Sequence, residues 1–246
     1  MKVVGVIPAR YKSTRLEGKP LADILGKPMI QHVWERCRES NSLDRIVVAT
    51  DDVRISDAVR AFGGEAIMTD PAHASGSDRA AEAIFKIDAD VIVNIQGDEP
   101  MMNPGMIDEV VGPFRQGTTA GMVTLKKEVF HDSDFSDPGV VKVVTAADGS
   151  ALYFSRSLIP YPRTKTSRFH VYEHIGIYAY TRECLVRLTQ LPQSPLEEVE
   201  GLEQLRALEN GIRIQVVETA CEGEAISVDT IADLDRVRKL LSERNK

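Results

Sequence analysis

The chain lacks the residues and patterns that several kinds of site require. Its three cysteines, Cys37, Cys184 and Cys221, are far apart and odd in number, which argues against a disulfide framework and against a thiolate metal centre. No apolar run approaches the roughly 20 residues that a membrane helix needs. The N-terminus offers one lysine and then a strand-like segment, without the apolar core and small-residue cleavage site of a secretory signal. Internal repeats and low-complexity tracts are absent. No GxGxxG follows the first strand-like segment, so the dinucleotide fingerprint is missing. A Walker loop fails too, because Ser13 stands where the first glycine belongs and Pro20 replaces the Ser/Thr after Gly18-Lys19. Positive charge is in deficit, at a net −7, so long duplex nucleic acid is a poor partner outside a local basic patch. Together these absences predict a reduced, cytoplasmic protein that binds neither membrane nor nucleic acid.

What is present alternates. Lys2–Ile7 is apolar and β-branched and reads as a buried strand. Met29, Ile30, Val33, Trp34 and Cys37 recur at helical spacing over Pro28–Glu39. Strands at Arg45–Ala49, Glu65–Met68 and Asp90–Ile95 alternate with helices at about Val53–Phe62 and Asp78–Ile87. This order predicts an α/β fold, a mainly parallel sheet flanked by helices. After Val123 the texture becomes richer in β signals. Residues 139–145 and 151–156 flank a turn at 146–150 with hairpin chemistry, and Phe169–Tyr180 reads as a strand. A helix should run from Ser194-Pro195 to Asn210-Gly211. A strand at Ile212–Val217 follows, and a last helix opens at Thr230 with Asp233 as its capping partner. The expectation is one α/β domain over 1–246, with a smaller β-rich lobe at about 125–215 and no linker between them.

In an open parallel sheet, ligands sit outside the carboxyl ends of the strands. Three stretches fall there. PARYKSTRLEGKP groups Arg10, Lys12, Arg15 and Lys19 in an acidic chain, a loop suited to a phosphate chain although a solvated surface would also carry such charge. NIQGDEP places Asp98 and Glu99 after a buried strand, where a divalent cation could be held between protein and phosphates or where a plain turn could form. ASGSDRA puts Arg79 in the first turn of a helix, an unfavourable place for a cation unless it meets an anion. His170 and His174 are four apart, but in a strand that is roughly 13 Å, too far to chelate one zinc ion. Asp51-Asp52 reads as a helix cap.

Taken in order, IPARYKSTRLEGKPL, KPMIQHVWER, VATDD, SGSDRAAEA, NIQGDEP, VKVV, ALYFSRSLIP, HIGIYAY, SPLEEVEGLEQLR and VDT resemble the 3-deoxy-manno-octulosonate cytidylyltransferase (CMP-KDO synthetase) family from Val4 to about Val237. The resemblance implies a nucleotide-diphospho-sugar transferase type of fold, CTP and an eight-carbon sugar acid (KDO) as substrates, Mg²⁺ as cofactor, and a cytoplasmic homodimer serving lipopolysaccharide biosynthesis. It implies that Arg10 and Lys19 contact the phosphates, with Arg15 assisting, and that Arg10, Lys19 and Asp98 form the catalytic set. Ala9, Ser75, Gly76 and Arg79 would hold the nucleotide or neighbouring anionic groups. Asp98 and Asp229 would bind the metal, and Gln96, His174, Tyr178, Glu203 and Gln204 the sugar acid. Similar loops read RLPGKPL, so Glu17 is expected to face solvent here. An acceptor such as 8-amino-KDO or another sugar acid stays open, as does a catalytically silent nucleotide-binding regulator.

Overall fold

The computed structural model describes residues 1–12, 16–73, 75–164, 170–222 and 226–244. In chain order the elements are β1 (Val3–Ala9), a 3₁₀ turn (Lys19–Leu21), β2 (Asp23–Ile24), β3 (Lys27–Pro28), α1 (Met29–Cys37), β4 (Arg45–Thr50), α2 (Val53–Ala61), β5 (Glu65–Met68), α3 (Gly76–Ile84) and β6 (Val91–Asn94). There follow α4 (Gly105–Arg115), β7 (Met122–Val129), α5 (Asp132–Ser136), β8 (Lys142–Thr145), β9 (Ala151–Ser155), β10 (Val171–Thr181), α6 (Arg182–Gln190), α7 (Pro195–Glu200), α8 (Gln204–Glu209), β11 (Ile214–Glu218) and α9 (Ile231–Arg244).

The main sheet runs β11-β7-β10-β6-β1-β4-β5. β10 is antiparallel to both its neighbours, and every other pairing on this path is parallel. β1 lies in the middle and its side chains divide by the strand period of two. Val4 and Val6 enter the core beneath α3 and α6, whereas Val3 and Ile7 enter the core beneath α1, α2 and α4. Burial on both faces explains why this strand reads as an unbroken apolar run. A third, smaller cluster seats α9 through Leu234 and Val237 on Ile24, Met29 and Met101. The β-rich stretch expected at about 125–215 is continuous with the sheet: β7 and β10 lie inside it, and the β8–β9 hairpin branches from it by pairing with β10.

The helix expected over Ser194–Asn210 is two helices. Gly201 sits at φ 62, ψ 41 and closes α7, a left-handed conformation that glycine adopts without steric cost. The turn that follows brings Glu203 and Gln204 back toward the sheet. The signals at Asp51-Asp52 and Thr230 hold: Asp52 caps α2, and Thr230 exchanges hydrogen bonds with Asp233. α3 opens two residues earlier than expected, with Ser75 as its cap in a capping box with Asp78. No helix among the described residues is long and apolar enough to cross a membrane.

Candidate active site

Because β1, β4 and β6 run parallel, their carboxyl ends open on one edge, and a cavity of about 540 Å³ lies there. Ala9, Arg10, Lys19, Ser75, Gly76, Arg79, Gln96, Asp98, His174, Tyr178, Glu203, Gln204 and Asp229 all line it. Arg15 lies outside the described residues. The volume falls within the usual range for a small-ligand site.

At one end the groups are charged. Lys19 opens the 3₁₀ turn just after Gly18, whose N–H donates to Tyr11 O. The Arg54 guanidinium stacks 3.3 Å over the Tyr11 ring and holds this loop from outside. Lys19 Nζ donates to Asp98 Oδ2 at 2.6 Å and to Asp229 Oδ1 at 3.2 Å. Those two carboxylates come from stretches 131 positions apart in sequence, and one ammonium spans them. The convergence has a backbone cause: Val228 N–H donates to Asp98 O at 2.9 Å, tying the segment before α9 to the loop after β6. Gly97 permits the same approach, because a Cβ there would stand 2.6 Å from Pro8 O. Arg10 is exposed and forms no hydrogen bond or ion pair among the described residues. Glu17 is exposed as well. Burial and the adjacent Asp98 charge push the Glu99 carboxyl up to about 7.

The residues present fit a divalent cation. Two hard carboxylate oxygens already converge on one positive charge, with Lys19 standing in for it, and phosphate oxygens and water would complete the shell that Mg²⁺ prefers. Among the described residues no group of three or more His, Cys, Asp or Glu could form an all-protein cage.

At the other end the groups are mostly neutral. β10 carries a register irregularity between Ile175 and Tyr178, and the carbonyl of Gly176 within it accepts from Gln96 Nε2 at 3.1 Å. His174 Nε2 lies 3.0 Å from Thr124 Oγ1, with the ring against Phe154 and Tyr178. Burial lowers the His174 pKa to about 3, so it is a neutral hydrogen-bonding group. Burial, with the Glu203 charge, raises the Tyr178 hydroxyl far above its ordinary value, and burial also raises the Glu203 carboxyl. Gln204 is 5% exposed, and its buried Nε2 has no partner among the described residues, a donor that a native protein normally satisfies.

Arg79 needs a closer reading. It is 3% exposed and meets an anion, as its placement demanded, but that anion is Asp51 of the same chain at 3.2 Å, with Thr69 Oγ1 at 2.5 Å. Asp52, not Asp51, is the cap. Ser77, Asn94, Tyr180 and His73 also line the cavity and were not singled out by sequence. Tyr180 shares a strand face with Tyr178 at the i, i+2 spacing, which is a legible signal. His73 is held by Glu82 at 2.6 Å across a loop, which no local pattern announces.

A cavity that meets a polyanion at one end and a hydroxyl-rich molecule at the other suits a nucleotidyltransferase acting on a sugar. The chain belongs to the cytidylyltransferase family, whose model matches residues 4–214. It is 50% identical to the 3-deoxy-manno-octulosonate cytidylyltransferase of Geobacter metallireducens, over 98% of each chain. The solved structure of a CMP:2-keto-3-deoxy-manno-octonic acid synthetase complexed with CTP superposes with a TM-score of 0.94, at 46% identity, over 99% of this chain and all of that one. The 4-diphosphocytidyl-2C-methyl-D-erythritol synthase of Anaerococcus prevotii, 13% identical with a TM-score of 0.64 over 98% of each chain, shares the fold.

Proposed function

We propose that this chain activates the sugar acid KDO with CTP, giving CMP-KDO and pyrophosphate. The observation that carries the reading is the cavity itself: the cationic loop, the two joined aspartates and the neutral polar wall all face one space. The high identity to full-length relatives named for this reaction supports it.

In the reaction the sugar's anomeric hydroxyl oxygen bonds to the α-phosphorus of CTP, the bond from that phosphorus to the β-phosphate oxygen breaks, and the hydroxyl proton is lost. Such transfer needs alignment and charge neutralisation more than covalent help from the protein. Arg10, exposed and unengaged, reaches for the phosphates and balances the charge of the departing pyrophosphate. Lys19 does the same once it leaves the aspartates. Asp98 and Asp229 would hold Mg²⁺, which when bound neutralises phosphate charge and lowers the pKa of a coordinated hydroxyl. Ala9, Ser75 and Gly76 give the nucleotide a backbone-rich wall at the end of β1 and the start of α3. Neutral His174, Tyr178, Gln96 and the unpartnered Gln204 amide hydrogen-bond sugar hydroxyls, and Glu203 accepts from them.

The reading extends to a cytoplasmic homodimer acting in lipopolysaccharide biosynthesis. Five exposed large apolar residues, Phe130, Leu152, Tyr161, Leu196 and Val199, fall in the β-rich stretch, and a second copy would cover such surface. Pyrophosphate release with CTP, Mg²⁺ and each of KDO, 8-amino-KDO and sialic acid tests the function. Turnover with KDO is expected; preference for another acceptor would reassign the substrate, and silence with all three would favour a nucleotide-binding regulator.

A further inference from the structure

Outside the cavity, the molecule spends several buried polar groups on one short stretch. Lys142 on β8 is fully buried. Its ammonium donates to three backbone carbonyls, Asp137 at 2.8 Å, Val140 at 2.6 Å and Arg156 at 2.8 Å. Enclosing a charged amine is costly, and burial lowers the Lys142 pKa. One of its donors holds the chain just past β9 at Arg156, and the other two hold the segment that leads into β8.

That chain holds the end of α7. Ser155 Oγ donates to Glu200 Oε1 at 2.7 Å, and Arg156 N–H donates to Glu200 Oε2 at 2.9 Å. The Arg156 guanidinium donates to Glu200 O at 2.7 Å and reaches Gly201 O at 3.4 Å, satisfying carbonyls that the helix end leaves without partners. Its other arm returns to Pro138 O at 2.8 Å, beside the Lys142 anchor. Two residues beyond Gly201 the chain delivers Glu203 and Gln204 into the cavity. None of Lys142, Ser155, Arg156 or Glu200 lines it.

We infer that Ser155, Arg156 and Glu200, anchored by Lys142, are positioning residues that set where Glu203 and Gln204 meet the sugar acid. The inference rests on the acceptor assignment proposed above. α7 and α8 have six residues each; Leu202, Leu205 and Ala207 seat the turn on the core and Arg206 pairs with Glu197, while the brace fixes the α7 end from which the chain turns to Glu203. The nucleotide end is built from β1, β6 and α3, and it meets the braced segment at Glu203, whose Oε1 lies 3.5 Å from Ser75 Oγ.

The test compares Glu200→Ala with Glu200→Gln in the full-length protein. A glutamine keeps both contacts, its carbonyl accepting from the Arg156 N–H and its amide donating to a rotated Ser155 hydroxyl; alanine loses both. Glu200→Ala should raise the KM for KDO about tenfold or more, the cost of losing hydrogen bonds to a charged group. The CTP dissociation constant, from calorimetry, should stay within about twofold. Backbone hydrogen exchange over 201–206 should speed up in Glu200→Ala and not in Glu200→Gln. An unchanged KDO KM in folded Glu200→Ala overturns the inference, and so does an equal rise for both substrates or equal effects of the two variants. If Glu200→Ala does not fold, Ser155→Ala removes one bond and must show the same substrate split. Wild-type silence with KDO would sink the proposed function, while the exchange comparison still decides whether the brace holds Glu203 and Gln204.

Discussion

Lys19 decides what Asp98 and Asp229 can do. As found, its single positive charge bridges the two carboxylates, and under the proposed function a phosphate chain would draw it away to let Mg²⁺ take its place. Lys19→Ala is therefore expected to lose turnover by about a hundredfold or more, the scale of removing one electrostatic donor from a phosphoryl or acyl transition state, while circular dichroism shows the fold intact. The same variant should bind Mn²⁺ in the absence of nucleotide more tightly than wild type, since the competing cation is gone; weaker binding would show that the lysine and the metal do not share this place. His174 gives a second residue-scale prediction, with its sign fixed by burial. Its folded pKa of about 3 lies below the ordinary 6.5, so below pH 6.5 the unfolded chain takes up a proton that the folded chain refuses. Stability from this group is lost as pH falls from 6.5 toward 3. By pH 5 the wild type should lose about 2 kcal/mol more than His174→Gln, relative to each protein at pH 7; parallel pH profiles of melting temperature would contradict it. Arg10, Lys19 and Asp98 were legible because cations clustered in an acidic chain, and an aspartate beyond a buried strand, need a reason; Asp229 and Glu203 came from the family resemblance alone. Asn94, Ser77 and His73 were not, since their place in the cavity comes from sheet order and loop packing, which no local spacing records. The partner of Arg79 was half legible: the residue needed an anion, and only the fold shows that Asp51 supplies it.

At the scale of elements, periodicity and end signals located β1, β4, β5, β6 and α1 to α3 within a residue or three. These strands and helices are consistent at every level, from propensity to burial. β7 and α6 went unread: β7 mixes buried and charged positions, and α6 follows β10 with Thr181 as the only stop signal, its side chain capping Cys184 N–H. One helix was read where two exist, because a single glycine between helical patterns is tolerated in many helices and here is a true C-cap. Gly97→Ala tests the loop after β6. Its Cβ would collide with the Pro8 carbonyl, a backbone atom that cannot step aside. The variant should lose about 1–3 kcal/mol by overpacking and weaken CTP binding, because the displaced loop carries Asp98. A variant as stable as wild type in urea would show that the contact is not tight.

Over the whole molecule, composition and alternation were enough for a mostly parallel sheet between helices, and the reversal of β10 was not predictable from them. That reversal matters, for it lays His174 and Tyr178 against the ends of parallel strands and so joins the neutral wall of the cavity to its charged end. Sedimentation equilibrium is expected to give a dimer, and Leu152→Asp with Val199→Asp to give a monomer; an unchanged dimer mass in that double variant would move the interface elsewhere. The account as a whole depends on a lysine, two aspartates and a metal ion meeting at one triphosphate. Crystals grown with CTP and Mn²⁺, with the metal located by anomalous scattering, test this most directly. The peak should lie within bonding distance of both Asp98 and Asp229, with Lys19 turned to a phosphate oxygen. A metal bound away from either aspartate, with Lys19 still bridging the two, would contradict it.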